Sequence, residues 1–339
     1  MNSIIHAFKF DIINTKLVHS YNLAHGNLTT YSSVLVTIIL ENGRELSGEV
    51  TPLDGYTDET MPSIMEELSH IQKEIHGLRV VEAIKSLETG LKPSNSFVLS
   101  AVLPPLEAYR DGYHLSDVRI SFSEVIYALA LEEKTLDELE KEIEEIRLTG
   151  HNTVKVKVGK DFVKELEWIE LLSKVKLGDL RIRFDANCGY NLHQSLLFLD
   201  KITETIPQNT EYLEQPLCRS CWHEMGEIIK RHREIPIMID ESIYSIEDIQ
   251  RSHDIGAQII KLKLCKFGSL NNLQRALDYA KSLNLKVVFG NGVATDIANC
   301  YEILFYKQNK DKIYGAIESV GFLKLIAWQK FKLLEDIVS

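Results

Sequence analysis

The chain has 339 residues, 45% of them hydrophobic, with a formal net charge of −11. That length can bury a large core and accommodates one barrel plus a smaller domain. The acidic balance, with no basic stripe and no interleaving of aromatic with basic residues, argues against a nucleic-acid or anionic-membrane partner.

The first ten residues, Met1 to Phe10, lack the basic start and apolar centre of a signal peptide, and no apolar run approaches membrane-spanning length. A soluble, cytoplasmic protein is the expectation. Five scattered cysteines in an acidic chain read as reduced thiols rather than a disulfide framework. The sequence is compatible with a homo-oligomer.

Residues 1–115 predict a small α+β domain. Ile4 to Ile13, Ser33 to Leu40 and Arg44 to Val50 read as a strand meander, with a turn at Glu41-Asn-Gly43. Apolar residues at helical spacing follow over Glu59 to Ile75 and Val80 to Thr89. Ser96 to Arg110 is helix-like too, with Pro104-Pro105 expected to kink it or start a new turn.

Residues 116–322 then alternate strand and helix. Apolar strand candidates start near Val125, Thr153, Arg181, Glu211, Ile235, Ala257, Lys286 and Tyr314. Amphipathic stretches lie between them, and Thr135-Leu-Asp-Glu138 fits a capping box that opens the first. Parallel strands with charges on consecutive strand ends favour a modified TIM (β/α) barrel over an open doubly wound sheet. The tail, residues 323–339, is amphipathic and is expected to pack on the barrel or on the N-terminal domain.

Thr153-Val-Lys-Val-Lys-Val-Gly159 alternates lysine with valine at the period of a strand, so Lys155 and Lys157 share one face. Lysines pointing into a barrel are costly unless acids offset them. The acids stand near the ends of later strands: Asp185 in Arg181-Ile-Arg-Phe-Asp-Ala-Asn187, Glu214 in Glu211-Tyr-Leu-Glu-Gln-Pro-Leu217, and Asp240 in Ile235-Pro-Ile-Met-Ile-Asp-Glu241. The next strand returns a lysine, Lys263.

Three converging carboxylates make a hard oxygen site suited to Mg²⁺, or to Mn²⁺ in its place, whereas zinc would favour histidine or thiolate. Lys157 on one side and Lys263 on the other could bracket a small-molecule carboxylate substrate. That arrangement suits removal of the proton α to a carboxylate: an uncharged lysine takes the proton while the metal stabilises the enediolate. Lys155 and the metal would push the Lys157 pKa down, as a base requires.

Lys-Val-Lys at 155–157, Asp-Ala-Asn at 185–187, Glu-Gln-Pro at 214–216, Asp-Glu-Ser at 240–242 and Lys263 together resemble the enolase superfamily in its muconate-lactonizing subgroup. The resemblance implies an N-terminal cap on the barrel, Mg²⁺ held by Asp185, Glu214 and Asp240, and acid/base lysines Lys157 and Lys263. Gly48 to Thr60 and Gly268-Ser-Leu270 are similar to segments of the o-succinylbenzoate synthases of the menaquinone pathway. That reading, dehydration by an o-succinylbenzoate synthase, is the leading expectation: in it Lys157 abstracts the proton and protonates the departing hydroxyl, and Lys263 acts electrostatically. The turn Gly290-Asn-Gly-Val-Ala-Thr-Asp296 departs from the serine-rich turn usual there. Tyr314-Gly-Ala-Ile-Glu-Ser319 lacks the Asp-x-Asp by which dipeptide epimerases hold an ammonium, leaving Glu318 alone. Dipeptide or N-acylamino acid epimerisation and muconate-type cycloisomerisation use the same lysine pair and stay open. So does a non-catalytic barrel that binds a carboxylate.

Asn187 and Glu241 are expected behind the ion, orienting its ligands. Arg183 shares the inward parity of Asp185 and supports the charged cluster or completes a buried ion network. Tyr56, Asn291 and Glu318 are substrate-contact candidates. His25 reads as cap surface. Cys218-Arg-Ser-Cys221, lacking a partner pair, reads as an ordinary loop rather than a zinc site.

Overall fold

The computed structural model describes residues 3–23, 26–53 and 57–319. The chain opens with an antiparallel meander of β1 (Ile5–Leu23), β2 (Gly26–Leu40) and β3 (Glu45–Val50), ordered β1-β2-β3. The first two strands outrun their apolar segments. Their ladder continues to Leu23 opposite Gly26, through residues too polar to announce a strand. Four helices share an apolar core with this sheet: α1 (Met61–Ile75), α2 (Val80–Gly90), α3 (Ser96–Leu99) and α4 (Leu103–Arg110). Thr60 caps α1, which buries Ile64, Leu68, Ile71 and Ile75 at helical spacing. The Ser96–Arg110 stretch divides because Pro104 and Pro105 fall in the first turn of α4, where a missing N–H costs nothing.

A parallel βα array follows: β4 (Tyr127–Leu129), α5 (Leu136–Leu148), β5 (Thr153–Lys157), α6 (Phe162–Lys174), β6 (Arg181–Asp185), α7 (Leu192–Thr205), β7 (Thr210–Glu214), α8 (Trp222–Arg231), β8 (Ile237–Ile239), α9 (Ile246–Asp254), β9 (Ile259–Lys263), α10 (Leu264–Phe267), α11 (Leu270–Ser282), β10 (Lys286–Gly290) and α12 (Asp296–Gln308). The seven strands β4 to β10 are neighbours in chain order. The eighth expected strand is not regular. Residues 313–318 nevertheless bridge both edges of the sheet, Ile313 to Val287 and Ile317 to Val125, with Glu318 N–H donating to Phe289 O at 3.1 Å. Gly315 breaks the extended run at φ +68°, and a side chain there would meet Arg183 Nη2 at 2.6 Å.

Val154 and Val156 face outward into the layer under the helices and are buried, as the alternation requires. The inward face is stacked in levels. Tyr212, Met238, Ile259 and Val288 form an apolar plug, and the charged side chains lie one strand-step further along. The N-terminal sheet and helices have their own apolar core. Two of their carboxylates reach the barrel: Glu49 accepts from Thr295 N (2.9 Å) and Thr295 Oγ1 (2.5 Å) at the start of α12, and Glu107 accepts from Leu270 N (2.7 Å) and Asn271 N (3.0 Å) at the start of α11. Unpaired N–H groups at a helix start attract negative charge. Expectations for the tail, residues 323–339, for Tyr56 and for His25 fall outside the described residues.

Candidate active site

Strand pairing brings the acids together before any side chain is considered. Lys157 is in register with Asp185, and Asp185 with Glu214, across β5, β6 and β7. In the order β5-β6-β7-β8-β9, the acids Asp185, Glu214 and Asp240 sit on consecutive positions, flanked by Lys157 on one side and Lys263 on the other. A cavity of about 950 Å³ opens over them, lined by Lys155, Lys157, Asp185, Asp240, Glu241 and Lys263, with cap residues across the mouth.

Every expected charge has a partner. Lys157 Nζ contacts Asp185 Oδ2 at 2.6 Å and Asn187 Oδ1 at 2.7 Å, while its side chain stays 46% exposed toward the cavity. Lys155, buried, reaches Asp185, Glu214 and Glu318, each at 2.8 Å. Lys263 Nζ pairs with Asp240 Oδ2 at 2.7 Å. Glu214 lies below the cavity floor, fully buried.

Behind these groups, Asn187 donates to Glu241 Oε1 at 2.8 Å, and its own N–H donates to Asp185 Oδ1 at 3.0 Å. The left-handed φ of +42° at Asn187 turns its amide back to Asp185. Arg183 is fully buried and donates to Glu211 Oε2 at 2.6 Å and to Ala316 O at 2.7 Å, below the cavity. Asn291 lines the cavity and donates to Asn299 Oδ1 at 2.8 Å. Glu318, a substrate-contact candidate, lines the cavity, and its Oε2 is shared by Lys155 and Lys261, both at 2.8 Å. The lysines engage Oε2, while Oε1 is buried without a hydrogen-bond partner, 3.8 Å from Arg183 Nη1.

The electrostatics follow. Burial opposes ionisation, yet Lys155, Lys157 and Lys261 hold the Asp185 carboxyl far below its ordinary range, and Lys263, Lys266 and Lys261 do the same for Asp240. Burial, reinforced by Asp240, pushes Glu241 up. Burial opposes the charge of Lys263, yet Asp240, Glu241 and Glu214 together lift it above the ordinary lysine value.

Three neighbours were not singled out from sequence. Lys261 is fully buried among Glu214, Asp240 and Glu318. Lys266 donates to Asp240 O at 2.6 Å and Oδ1 at 2.9 Å. Gln215 accepts from Asp240 N at 2.9 Å and donates to Ser242 Oγ at 2.8 Å, tying the ends of β7 and β8 together. A signal for Lys261 was present: Lys261-Leu-Lys263 repeats the period of Lys155-Val-Lys157.

Among the described residues, no three His, Cys, Asp or Glu side chains are arranged to hold a metal ion; lysine ammonium groups occupy the carboxylate oxygens instead. The donor set itself fits a hard divalent cation: three carboxylates on adjacent strand ends, with Glu241 Oε2 buried beside them and lacking a hydrogen-bond partner.

Cys218 and Cys221 are joined by a disulfide in the loop between β7 and α8, where reduced thiols were expected. Their three-residue separation lets one tight turn bring the sulfurs together. No described helix is long and apolar enough to cross a membrane.

Residues 138–310 match the family model described as enolase C-terminal domain-like. An L-Ala-D/L-Glu epimerase of Francisella tularensis subsp. novicida is 32% identical over 139 residues, 41% of this chain and 38% of that protein. The o-succinylbenzoate synthase of Listeria innocua is 22% identical over 313 residues, 89% of this chain and 82% of that protein. The dipeptide epimerase of Cytophaga hutchinsonii, solved with Mg and the dipeptide D-Ala-L-Val, superposes with a TM-score of 0.77 at 22% identity, covering 96% of this chain and 89% of that one. At that identity the likeness speaks for the fold, a capped barrel.

Proposed function

Because the chain belongs to the enolase C-terminal domain-like family, we propose that it abstracts the proton α to a substrate carboxylate with Mg²⁺ as cofactor, and that its reaction is epimerisation of a dipeptide or N-acylamino acid. The observation that carries this reading is the strand order, with three acids on consecutive strand ends between Lys157 and Lys263 under one cavity. Asp185, Glu214 and Asp240 would hold the ion. Once bound, it supplies positive charge to the substrate carboxylate and so makes the α-proton more acidic.

Lys157 and Lys263 reach the cavity from opposite flanks of the acids. One lysine removes the α-proton and the other delivers a proton to the opposite face, which inverts the centre. Asn187 holds Lys157 toward Asp185, and Glu241 holds Asn187. The cap rim carries Asp58, Glu59 and Glu67 along the cavity wall, and this acidic rim suits the free ammonium of a dipeptide, which an N-acylamino acid lacks. Epimerases among the relatives, such as the Francisella protein, support the same reading.

A second reading, o-succinylbenzoate synthesis by loss of water, is favoured by one observation. Glu318 is engaged by Lys155 and Lys261, and this removes the strand-end acid best placed to hold an ammonium. There Lys157 would take the α-proton and return it to the departing hydroxyl, while Lys263 stays protonated. Chiral chromatography of L,L-dipeptides incubated with protein and Mg²⁺ separates the two. Epimer formation supports the first reading; no epimer, together with dehydration of a cyclohexadiene carboxylate, replaces it with the second.

A further inference from the structure

Lys261 has no place in the proton transfer just described, yet it is fully buried among the acids of the site. Its Nζ is hydrogen-bonded to Glu214 Oε1, stands 2.8 Å from Glu318 Oε2 and 3.5 Å from Asp240 Oδ2, and is fully buried. It thus touches two of the three acids assigned to the ion. Its stem runs past Gly290 on β10, where a Cβ would lie 2.7 Å from Lys261 Cδ, so glycine leaves the slot the lysine fills. Burying an ammonium is costly unless acids surround it, and Glu318, which neither Lys157 nor Lys263 contacts and which is not among the three acids assigned to the ion, is the further acid that Lys261 reaches.

We infer that Lys261 is a tethered cation that competes with the divalent ion for Glu214 and Asp240, and that Glu318 draws it away, so the Lys261–Glu318 pair sets the ion affinity of the site. This rests on the proposed metal role of the three acids. Both cations need the same oxygens, and like charges at such separations repel strongly in a buried site. Lys261 is therefore a positioning residue: it governs when Glu214 is free to bind the ion. Removing its charge strengthens ion binding. Removing the charge of Glu318 leaves Lys155 and Lys261 with only Asp185, Glu214 and Asp240 to pair with, and weakens it.

The test is calorimetric titration of Mg²⁺ into chelator-treated full-length protein, which needs no substrate. Lys261→Met should tighten Mg²⁺ binding by about tenfold or more, and Lys261→Gln, which keeps a hydrogen-bonding group, should tighten it in the same direction. Glu318→Gln should loosen it. A general loss of packing would weaken binding in all three variants, so opposite shifts identify the charge effect. If neither Lys261 variant folds, Glu318→Gln decides alone: weaker binding sustains the proposal and unchanged or tighter binding overturns it. Wild-type binding that is unaltered or weakened by folded Lys261 variants overturns the proposal and leaves the metal reading intact. If neither wild type nor Lys261 variant takes up Mg²⁺, both fall; if only the variant does, the competition is demonstrated directly.

Discussion

Lys157 Nζ lies 2.6 Å from Asp185 Oδ2, so the expected base and the first expected ion ligand touch across neighbouring strands. Their register partnership makes this contact a consequence of sheet pairing rather than of loop conformation. Lys157→Ala should lower turnover by about 10²- to 10⁴-fold, the usual range for a proton-transferring group. With its side chain 46% exposed, the substitution should leave the unfolding transition nearly unmoved. Turnover within twofold or so of wild type would remove Lys157 from the chemistry.

Arg183 occupies the barrel beneath the cavity, fully buried and bound to Glu211 and to the Ala316 carbonyl. Arg183→Met removes one member of a buried ion pair and should cost about 3 kcal/mol of stability, because Glu211 is left without its partner. Urea denaturation measures it. A cost below about 1 kcal/mol would show that water already reaches the pair.

Glu49 links cap and barrel by accepting from Thr295 N and Oγ1 while Thr51 Oγ1 donates to it at 3.2 Å. Glu49→Ala should release the start of α12 and cost about 1 to 3 kcal/mol, the range for a buried donor left unsatisfied. Hydrogen exchange read at the Thr295 and Ala298 amides should speed up in the variant. Unchanged protection there would mean that α12 holds its first turn without the cap.

Glu124 faces Lys307 at 3.0 Å and Lys310 at 2.6 Å. Burial opposes its ionisation, but these lysines and Ser121 hold its carboxyl down at about 2. A carboxyl depressed on folding binds fewer protons folded than unfolded. Its stabilisation is therefore complete above the ordinary carboxylate pKa and is lost as pH falls toward the folded value. The thermal midpoint of wild type should exceed that of Glu124→Gln at pH 6, with the gap closing between about pH 4.5 and pH 2. A gap independent of pH would assign the effect to shape rather than charge.

Much of this was legible in the residues because strand periodicity and strand-end charges are local. Lys155, Lys157 and Asp185 could be placed on inward faces by parity, and Glu214, Asp240 and Lys263 by their positions near strand ends, while α8 spans Trp222–Arg231, the stretch its apolar spacing marks. What stayed hidden depends on contacts distant in sequence. Glu318 could not be known to serve Lys155 and Lys261 until the 313–318 segment was seen bridging both sheet edges. Glu49 and Glu107 look like ordinary cap acids until two barrel helices present their N–H groups to them. The Cys218–Cys221 disulfide was misread from composition, which describes a compartment and not a turn.

Deuterium incorporation at the substrate α-carbon tests the central claim most directly. Proton NMR of L,L-dipeptides with the protein and Mg²⁺ in D₂O should show loss of the α-proton signal and growth of the epimer, both abolished by chelation and by the Lys157→Ala, Lys263→Ala double variant. Exchange that persists in the double variant, or no exchange of any α-proton by Mg²⁺-saturated wild type across dipeptides, N-acylamino acids and a cyclohexadiene carboxylate, would contradict it.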